Sequence, residues 1–397
     1  MNSLLRDKTM SRRSTALLSL IFLWNSSFAA VAEVNDGEVA GSALHPFQVV
    51  EVVDGLEIPW SMAWLPNGDM LVTERPGQLR VVSNGKLSAP VEGVPKVHAE
   101  SQGGLFDVLP HPDFASNSLV YLSFAEPLAD STTTTVIRGR LQNNKLSAIE
   151  DIFQAKTSGS RGHYGGRLAF DNQGYLFITV GERQAATKGD LTQHPAQDRS
   201  NHQGVVVRLK DDGRIPDDNP FVGQQNMLPE IWSYGHRNPQ GLAVHPLTDD
   251  IWVGEHGPQG GDELNIVNPG LNYGWPVIGY GVNYGLGEPI HKTQTQEGME
   301  QPLHYWVPSI ATSGLMIYSG DKFPRWAGNI FVGGLRGEQL ARVTLSDDAK
   351  TVVAEEILVQ GLGRIRDVRE GHDGYIYIAD ESNGRIVRLQ PVAKRGQ

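Results

Sequence analysis

GRLAFDNQGYLFITVGE, residues Gly166–Glu182, has the pattern of a β-hairpin. A short apolar run, Leu168–Phe170, is followed by the turn residues Asp171, Asn172 and Gly174 and then by a second run rich in β-branched and aromatic residues, Tyr175–Val180. The same plan occurs five more times: SMAWLPNGDMLVTE from Ser61, GLFDVLPHPDFASNSLVYLSFAE from Gly104, GLAVHPLTDDIWVGE from Gly241, GLMIYSGDKFPRWAGNIFVGGL from Gly314 and RDVREGHDGYIYIAD from Arg366. Their second strands begin near Leu71, Leu119, Tyr175, Ile251, Ile330 and Tyr375, in steps of between 45 and 79 residues. A four-stranded sheet takes about 40 to 50 residues, so each step holds one sheet and a loop of varying length. Six such units predict an all-β fold, a six-bladed β-propeller, forming one domain over residues 33–397. A pair of sandwiches or a β-helix is the competing architecture. No helical periodicity of useful length supports an α/β alternative.

Composition agrees with a turn-dense globular chain. Among 397 residues there are 45 Gly and 23 Pro, with 20% charged residues. With no cysteine, disulfide frameworks, thiolate metal sites and cysteine nucleophiles are excluded. The net charge of −11 argues against a nucleic-acid groove, which needs Lys and Arg clustered over a broad face. Residues 1–32 have the order of a secretory signal peptide: Arg6, Lys8, Arg12 and Arg13, an apolar stretch from Ala16 to Trp24, then Ala29, Ala30 and Ala32. Roughly ten apolar residues are too few to span a bilayer. Cleavage after Ala32 or Ala29 would leave a more acidic mature chain with no apolar run of membrane-spanning length, destined for the periplasm or the outside.

Propeller geometry places the residues just before each first strand and just after each second strand on one face, around the channel mouth. That rule selects Pro59, Trp60, Gln102, His163, Arg237, Asn238, Thr312, Ser313, Arg364 and Arg366 on the entering side. On the leaving side it selects Glu74, Arg75, Glu126, Glu182, Arg183, the run Glu255-His256-Gly257-Pro258, Arg336, Asp380 and Glu381. Any one of these arginines reads as a surface or inter-blade ion pair. Gathered in a shared register within an acidic protein, they point to a ligand bearing several carboxylates or phosphates, which guanidinium groups bind bidentately. His163, between glycines in GHYGGRL, falls at the same mouth, where a neutral imidazole serves as general base. The Gly-rich loop EHGPQGGDELN, Glu255–Asn265, offers carbonyl and carboxylate oxygens of the kind Ca²⁺ takes, although an ordinary acidic turn has the same composition.

SQGGLFDV, GHYGGRL, GHRNPQGL, EHGPQGGDELN followed by NYGWP, and RIRDV followed by DGYIY resemble, in order from about Pro59 to Leu389, the soluble quinoprotein glucose and aldose sugar dehydrogenases of the glucose/sorbosone dehydrogenase group. Within it, RIPDDNPF is similar to the periplasmic aldose sugar dehydrogenases. The resemblance implies that pyrroloquinoline quinone and Ca²⁺ bind at the channel mouth. His163 would then take the proton of the sugar C1 hydroxyl while hydride passes to the quinone C5, and the sugar leaves as a lactone. Arg237 would stabilise charge developing on the quinone oxygens. Asn238 and Gln102 would hydrogen-bond the cofactor or sugar, and Arg336, Arg364 and Arg366 would hold the cofactor carboxylates. The carbonyls of Gly257 and Pro258 would ligate the catalytic Ca²⁺, and Glu263 and Tyr273 a second, structural one.

Two departures are visible. Glu182 stands where the glucose-specific members have an Asp orienting the histidine, and Arg336 where they have a Lys. The stretch from Tyr284 to Val307, which the glucose enzymes use for sugar contact, is also unlike theirs, so a more open site accepting several aldoses is expected. Monomer and homodimer are both compatible with the sequence, and the electron acceptor is a separate partner that it does not specify. The rival functions are a Ca²⁺-dependent sugar-lactone hydrolase, which the arginine ring opposes, and a non-enzymatic binding platform, which has no use for His163 beside Arg237 and Arg364.

Overall fold

The structure, a computed structural model, describes residues 39–159 and 161–392. The targeting segment expected within residues 1–32 lies outside the described residues. Among the described residues no helix is long and apolar enough to cross a membrane.

Six small antiparallel sheets form the body of the protein. Their innermost strands are Pro59–Trp64, Leu105–Pro110, Leu168–Phe170, Pro239–Val244, Thr312–Ile317 and Ile365–Glu370. Each pairs with the strand that follows it: Met70–Glu74, Leu119–Pro127, Tyr175–Val180, Ile251–Glu255, Ile330–Gly334 and Ile376–Asp380. These are the six hairpins of the sequence repeat, with second strands starting within one residue of the predicted positions. Every inner strand packs on the inner strand of the next sheet, and the sixth packs on the first, so the ring closes as a six-bladed β-propeller.

Closure is made by pairing distant parts of the chain. In the sixth blade Pro46–Val53 lies antiparallel to Arg385–Pro391, with Val49 opposite Leu389, and Val39–Gly41 adds to its outer edge.

The core is divided among the seams between blades. Leu71, Leu105 and Val120 fill the seam between blades 1 and 2, while Leu168, Ile178 and Val136 fill the next. Phe177 with Val253, Trp252 with Val332, Phe331 with Val368, and Met62 with Tyr377 continue the series around to blade 1. A strand facing a neighbouring blade on each side is buried on both faces. Met70–Glu74, Ile251–Glu255, Ile330–Gly334 and Ile376–Asp380 are accordingly buried at every position.

On the channel axis the inner strands meet in a buried ionic plug. Arg167, 1% exposed, has Nη1 2.9 Å from Asp367, and Arg369 reaches Asp107 at 3.1 Å and Asp367 at 3.0 Å. The Asp107 carboxylate also accepts from the backbone N–H of Leu168 at 2.9 Å. Arg369 is hydrogen-bonded to both carboxylates, whereas Arg167 Nη1 faces Asp367 Oδ1 as an ion pair without hydrogen-bond geometry, so each buried charge has an opposite neighbour. Arg167 also donates to the carbonyls of Gln240 and Arg366, tying the plug to the strands that carry the mouth residues.

Candidate active site

His163 sits on the loop leading into blade 3 with its backbone in the left-handed region, at φ 48°. The chain facing it is also left-handed, at Arg183 (φ 64°) and Gln184 (φ 56°). Such conformations cost energy in non-glycine residues and concentrate at functional sites. The two segments touch so closely that a Cβ at Gly181 would lie 2.2 Å from the His163 carbonyl oxygen, which explains the glycine. His163 Nδ1 is 2.5 Å from Glu182 Oε1, and both residues are buried. Glu182 is itself held by the Ala185 N–H at 2.5 Å. A carboxylate that only accepts at Nδ1 puts the ring proton there and leaves the Nε2 lone pair as a base. Burial, then the nearby Arg237 cation, lower the His163 pKa from its ordinary value, outweighing the opposite pull of Glu182.

The general-base role that the resemblance implies for His163 needs the ring unprotonated, so activity is expected to fall as pH drops through its folded-state pKa. The acid limb of kcat/KM should have its midpoint below 6.5, the ordinary histidine value. A pH–rate profile with that midpoint at or above 6.5 would contradict the electrostatics around the ring.

The two amides sit beside this histidine. Gln102 Oε1 accepts the His163 N–H at 2.9 Å, and Asn238 Oδ1 accepts the Gly165 N–H at 3.2 Å. Both hold the histidine loop through a carbonyl oxygen, so what each can offer a ligand is its NH₂ end. Arg183, selected from sequence as a mouth cation, turns inward instead. Its guanidinium lies 3.6 Å above the Tyr164 ring and donates to Thr132 Oγ1 at 2.9 Å and to the Gly162 carbonyl. It staples the loop in place.

Arg237 is fixed at its backbone, where its N–H donates to Glu255 Oε2 at 2.7 Å, and at Nη1, which donates to the His256 carbonyl at 3.0 Å. Glu255 is held in turn by His236 Nδ1 at 2.9 Å, and His236 stacks on Tyr273 with ring centroids 4.7 Å apart. Arg237 Nε, Trp275 Nε1 and His256 Nε2 are buried and lack hydrogen-bond partners, and all three residues line one cavity of about 10 Å³, together with Glu255 and Glu263. Buried polar atoms are nearly always satisfied, so three around one hole call for an explanation. The Arg and Trp atoms are N–H donors, and their missing partner is an acceptor. Burial, Arg237 and Arg366 push the His256 pKa well below its ordinary value, so its imidazole is neutral.

Across the mouth, Arg364 and Arg366 share Glu381, at 3.0 Å and 2.5 Å. Burial pushes the Glu381 pKa up, but the two guanidiniums outweigh it and hold it down at about 2. Arg366 also donates to Gln240 Oε1 at 2.7 Å and is buried, whereas the Arg364 side chain is 42% exposed. Arg336 is exposed and follows Leu335, whose carbonyl receives Arg364 Nη1 at 3.5 Å. The three arginines assigned to carboxylate binding therefore adjoin one another.

In the Gly-rich loop Asp262 acts as a pin, accepting from the N–H groups of Gly257 at 2.9 Å and Thr312 at 3.1 Å. The Pro258 carbonyl accepts from Tyr284 Oη at 3.2 Å and Ser309 Oγ at 3.3 Å. Glu263 is opposite Glu255 in the strand ladder, and burial together with that second carboxylate raises its pKa well above the ordinary range. The Tyr273 hydroxyl is occupied, donating to the Ile266 carbonyl at 2.7 Å and accepting from the Asn268 N–H at 2.9 Å. Tyr273 can therefore approach a cation only through its carbonyl.

A propeller whose mouth combines a buried His–carboxylate pair with clustered arginines defines a class, and sequence comparison identifies it. The profile of the Glucose / Sorbosone dehydrogenase family matches residues 56–388, and the chain belongs to that family of oxidoreductases. It is 44% identical to aldose sugar dehydrogenase YliI of Escherichia coli, over 96% of this chain and 100% of that one. The apo-form crystal structure of the soluble aldose sugar dehydrogenase from Escherichia coli superimposes with a TM-score of 0.81 at 43% identity, covering 87% of this chain and 100% of that chain. The PQQ-bound aldose sugar dehydrogenase from Streptomyces coelicolor superimposes with a TM-score of 0.71 at 28% identity, covering 87% and 98% respectively.

Sequence reading attaches no role to Trp275, selects His256 at the mouth without one, and marks Tyr284 only as the start of a stretch unlike that of the glucose enzymes. Trp275 lies in the NYGWP motif, which gave the only local signal. Tyr284 reaches the mouth because its loop folds back, with Val282 bridging Gln259, and nothing in its own neighbourhood encodes that.

Proposed function

We propose that the protein oxidises aldose sugars at C1 to lactones, using pyrroloquinoline quinone and Ca²⁺ at the channel mouth. The observation that carries this reading is the pair of buried, unpartnered N–H donors, Arg237 Nε and Trp275 Nε1, in the same mouth as the His163–Glu182 pair. An anionic quinone rich in oxygen acceptors fits that donor set, and its carboxylates fit Arg336, Arg364 and Arg366. Gln102 and Asn238 would contribute their NH₂ ends. A divalent cation fits the oxygens nearby, through the Gly257 and Pro258 carbonyls for a catalytic ion and through Glu263 with the Tyr273 carbonyl for a structural one. The raised Glu263 pKa supports the second site, because two facing carboxylates, Glu255 buried and Glu263 partly buried, are relieved by a cation between them.

When bound, the quinone supplies the two-electron acceptor for the C1 hydride, and the cation makes it more electrophilic. His163 Nε2 takes the proton of the C1 hydroxyl, and Glu182 fixes the tautomer and stabilises the imidazolium that results. Arg237 is held in place before the reaction by Glu255 and the His256 carbonyl, so it needs no reorganisation to stabilise developing negative charge. The ionic plug closes the axis beneath these groups. The basic, apolar and small-residue order of residues 1–32 supports export to the periplasm or the outside.

Protein mixed with pyrroloquinoline quinone and Ca²⁺ is expected to reduce a redox dye when an aldose is added. No dye reduction with any aldose tested, together with no quinone binding by calorimetry, would sink the proposal.

A further inference from the structure

The Pro258 carbonyl oxygen has two lone pairs, and each faces a hydroxyl: Tyr284 Oη at 3.2 Å and Ser309 Oγ at 3.3 Å. A cation arriving at this oxygen competes with both donors, because a hydroxyl hydrogen occupies the lone pair and repels positive charge beside it. The two hydroxyls differ in what else they can do. Ser309 has the buried Asp262 carboxylate nearby as a second acceptor. Tyr284 is 67% exposed and has water as its alternative. Its loop is tied to the Gly-rich segment by reciprocal backbone hydrogen bonds between Gln259 and Val282, at 3.0 and 3.1 Å, so the phenol stays poised over the carbonyl.

We propose that Tyr284 is a gatekeeper of the catalytic cation site, its hydroxyl competing with the divalent cation for the Pro258 carbonyl and keeping that ion exchangeable. The inference rests on the reading that the Pro258 carbonyl receives a cation. Ser309 gives way readily by turning to Asp262, so the competition falls mainly on Tyr284. Because the Tyr284 residue is largely in solvent, removing its hydroxyl changes the carbonyl's surroundings without opening a cavity.

The test is a calorimetric titration with calcium in the presence of saturating pyrroloquinoline quinone. It uses a Glu263→Gln background, so that the second carboxylate site does not dominate the signal. Tyr284→Phe is expected to tighten calcium binding about two- to fivefold, as for the loss of one long, solvent-exposed hydrogen bond. Ser309→Ala should change affinity less than Tyr284→Phe. Equal or weaker calcium binding by Tyr284→Phe would overturn the gatekeeper role while leaving the cation site standing. Absence of calcium uptake by the Glu263→Gln parent would instead overturn the cation site itself, and the gatekeeper with it.

Discussion

His163→Ala is expected to bind pyrroloquinoline quinone as tightly as the unaltered protein and to lose about 10²- to 10⁴-fold in turnover, the usual contribution of a positioned general base. The separation of the two effects follows from the site. His163 faces Glu182 through Nδ1 and leaves Nε2 as a base, whereas the cofactor-binding groups named above are Arg237, Trp275, the arginines on blades 5 and 6 and the amides of Gln102 and Asn238, which touch the histidine loop only at its backbone. The backbone N–H of residue 163 still reaches Gln102 in the variant, so the loop keeps its anchor. Steady-state kinetics with a dye acceptor, paired with calorimetric quinone binding, reads both quantities. Turnover within a few-fold of the unaltered protein would remove His163 from the role of base, and a parallel collapse of quinone affinity would show that it holds the cofactor instead.

Arg364→Ala should show the opposite pattern. Its guanidinium is bound by Glu381 and the Leu335 carbonyl and remains 42% exposed, so it has donors free to meet a carboxylate. Losing a charge-assisted pair is expected to weaken quinone binding by about 10- to 100-fold. Arg366 remains paired with Glu381 and Gln240, so the fold around the mouth is not the casualty. Once the quinone is saturating, turnover should return to within a few-fold of normal. Unchanged quinone affinity would contradict the assignment of Arg364 to a cofactor carboxylate.

Most of the fold was legible because its unit is local. A hairpin such as Gly166–Glu182 carries its turn chemistry and both strands within seventeen residues, so repetition alone revealed six blades. The pairing that closes the ring was not legible, because Pro46–Val53 meets residues more than 330 positions away, with no turn joining it to that partner. In the site, register around a propeller selected Arg237, His163 and Arg366, and the folded chain brings Arg237 near His163 and both arginines near His256. Register failed at Arg183, where a left-handed backbone redirects the side chain toward Tyr164. It also said nothing of hydrogen-bond satisfaction. The unpartnered Arg237 Nε and Trp275 Nε1, and the two hydroxyls on the Pro258 carbonyl, exist only once several loops have come together.

The closing pair of strands in blade 6 also supports one side of the candidate site. Pro46–Val53 and Arg385–Pro391 stand more than 330 positions apart, so their pairing joins two remote stretches of the chain into one sheet. The inner strand of that sheet carries Arg366, and Asp380, at the end of the neighbouring strand, is held by Arg385 at 2.9 Å. A chain truncated before Arg385 would keep every residue of the candidate site but lose the outer-strand pairing that backs Arg364, Arg366 and Glu381.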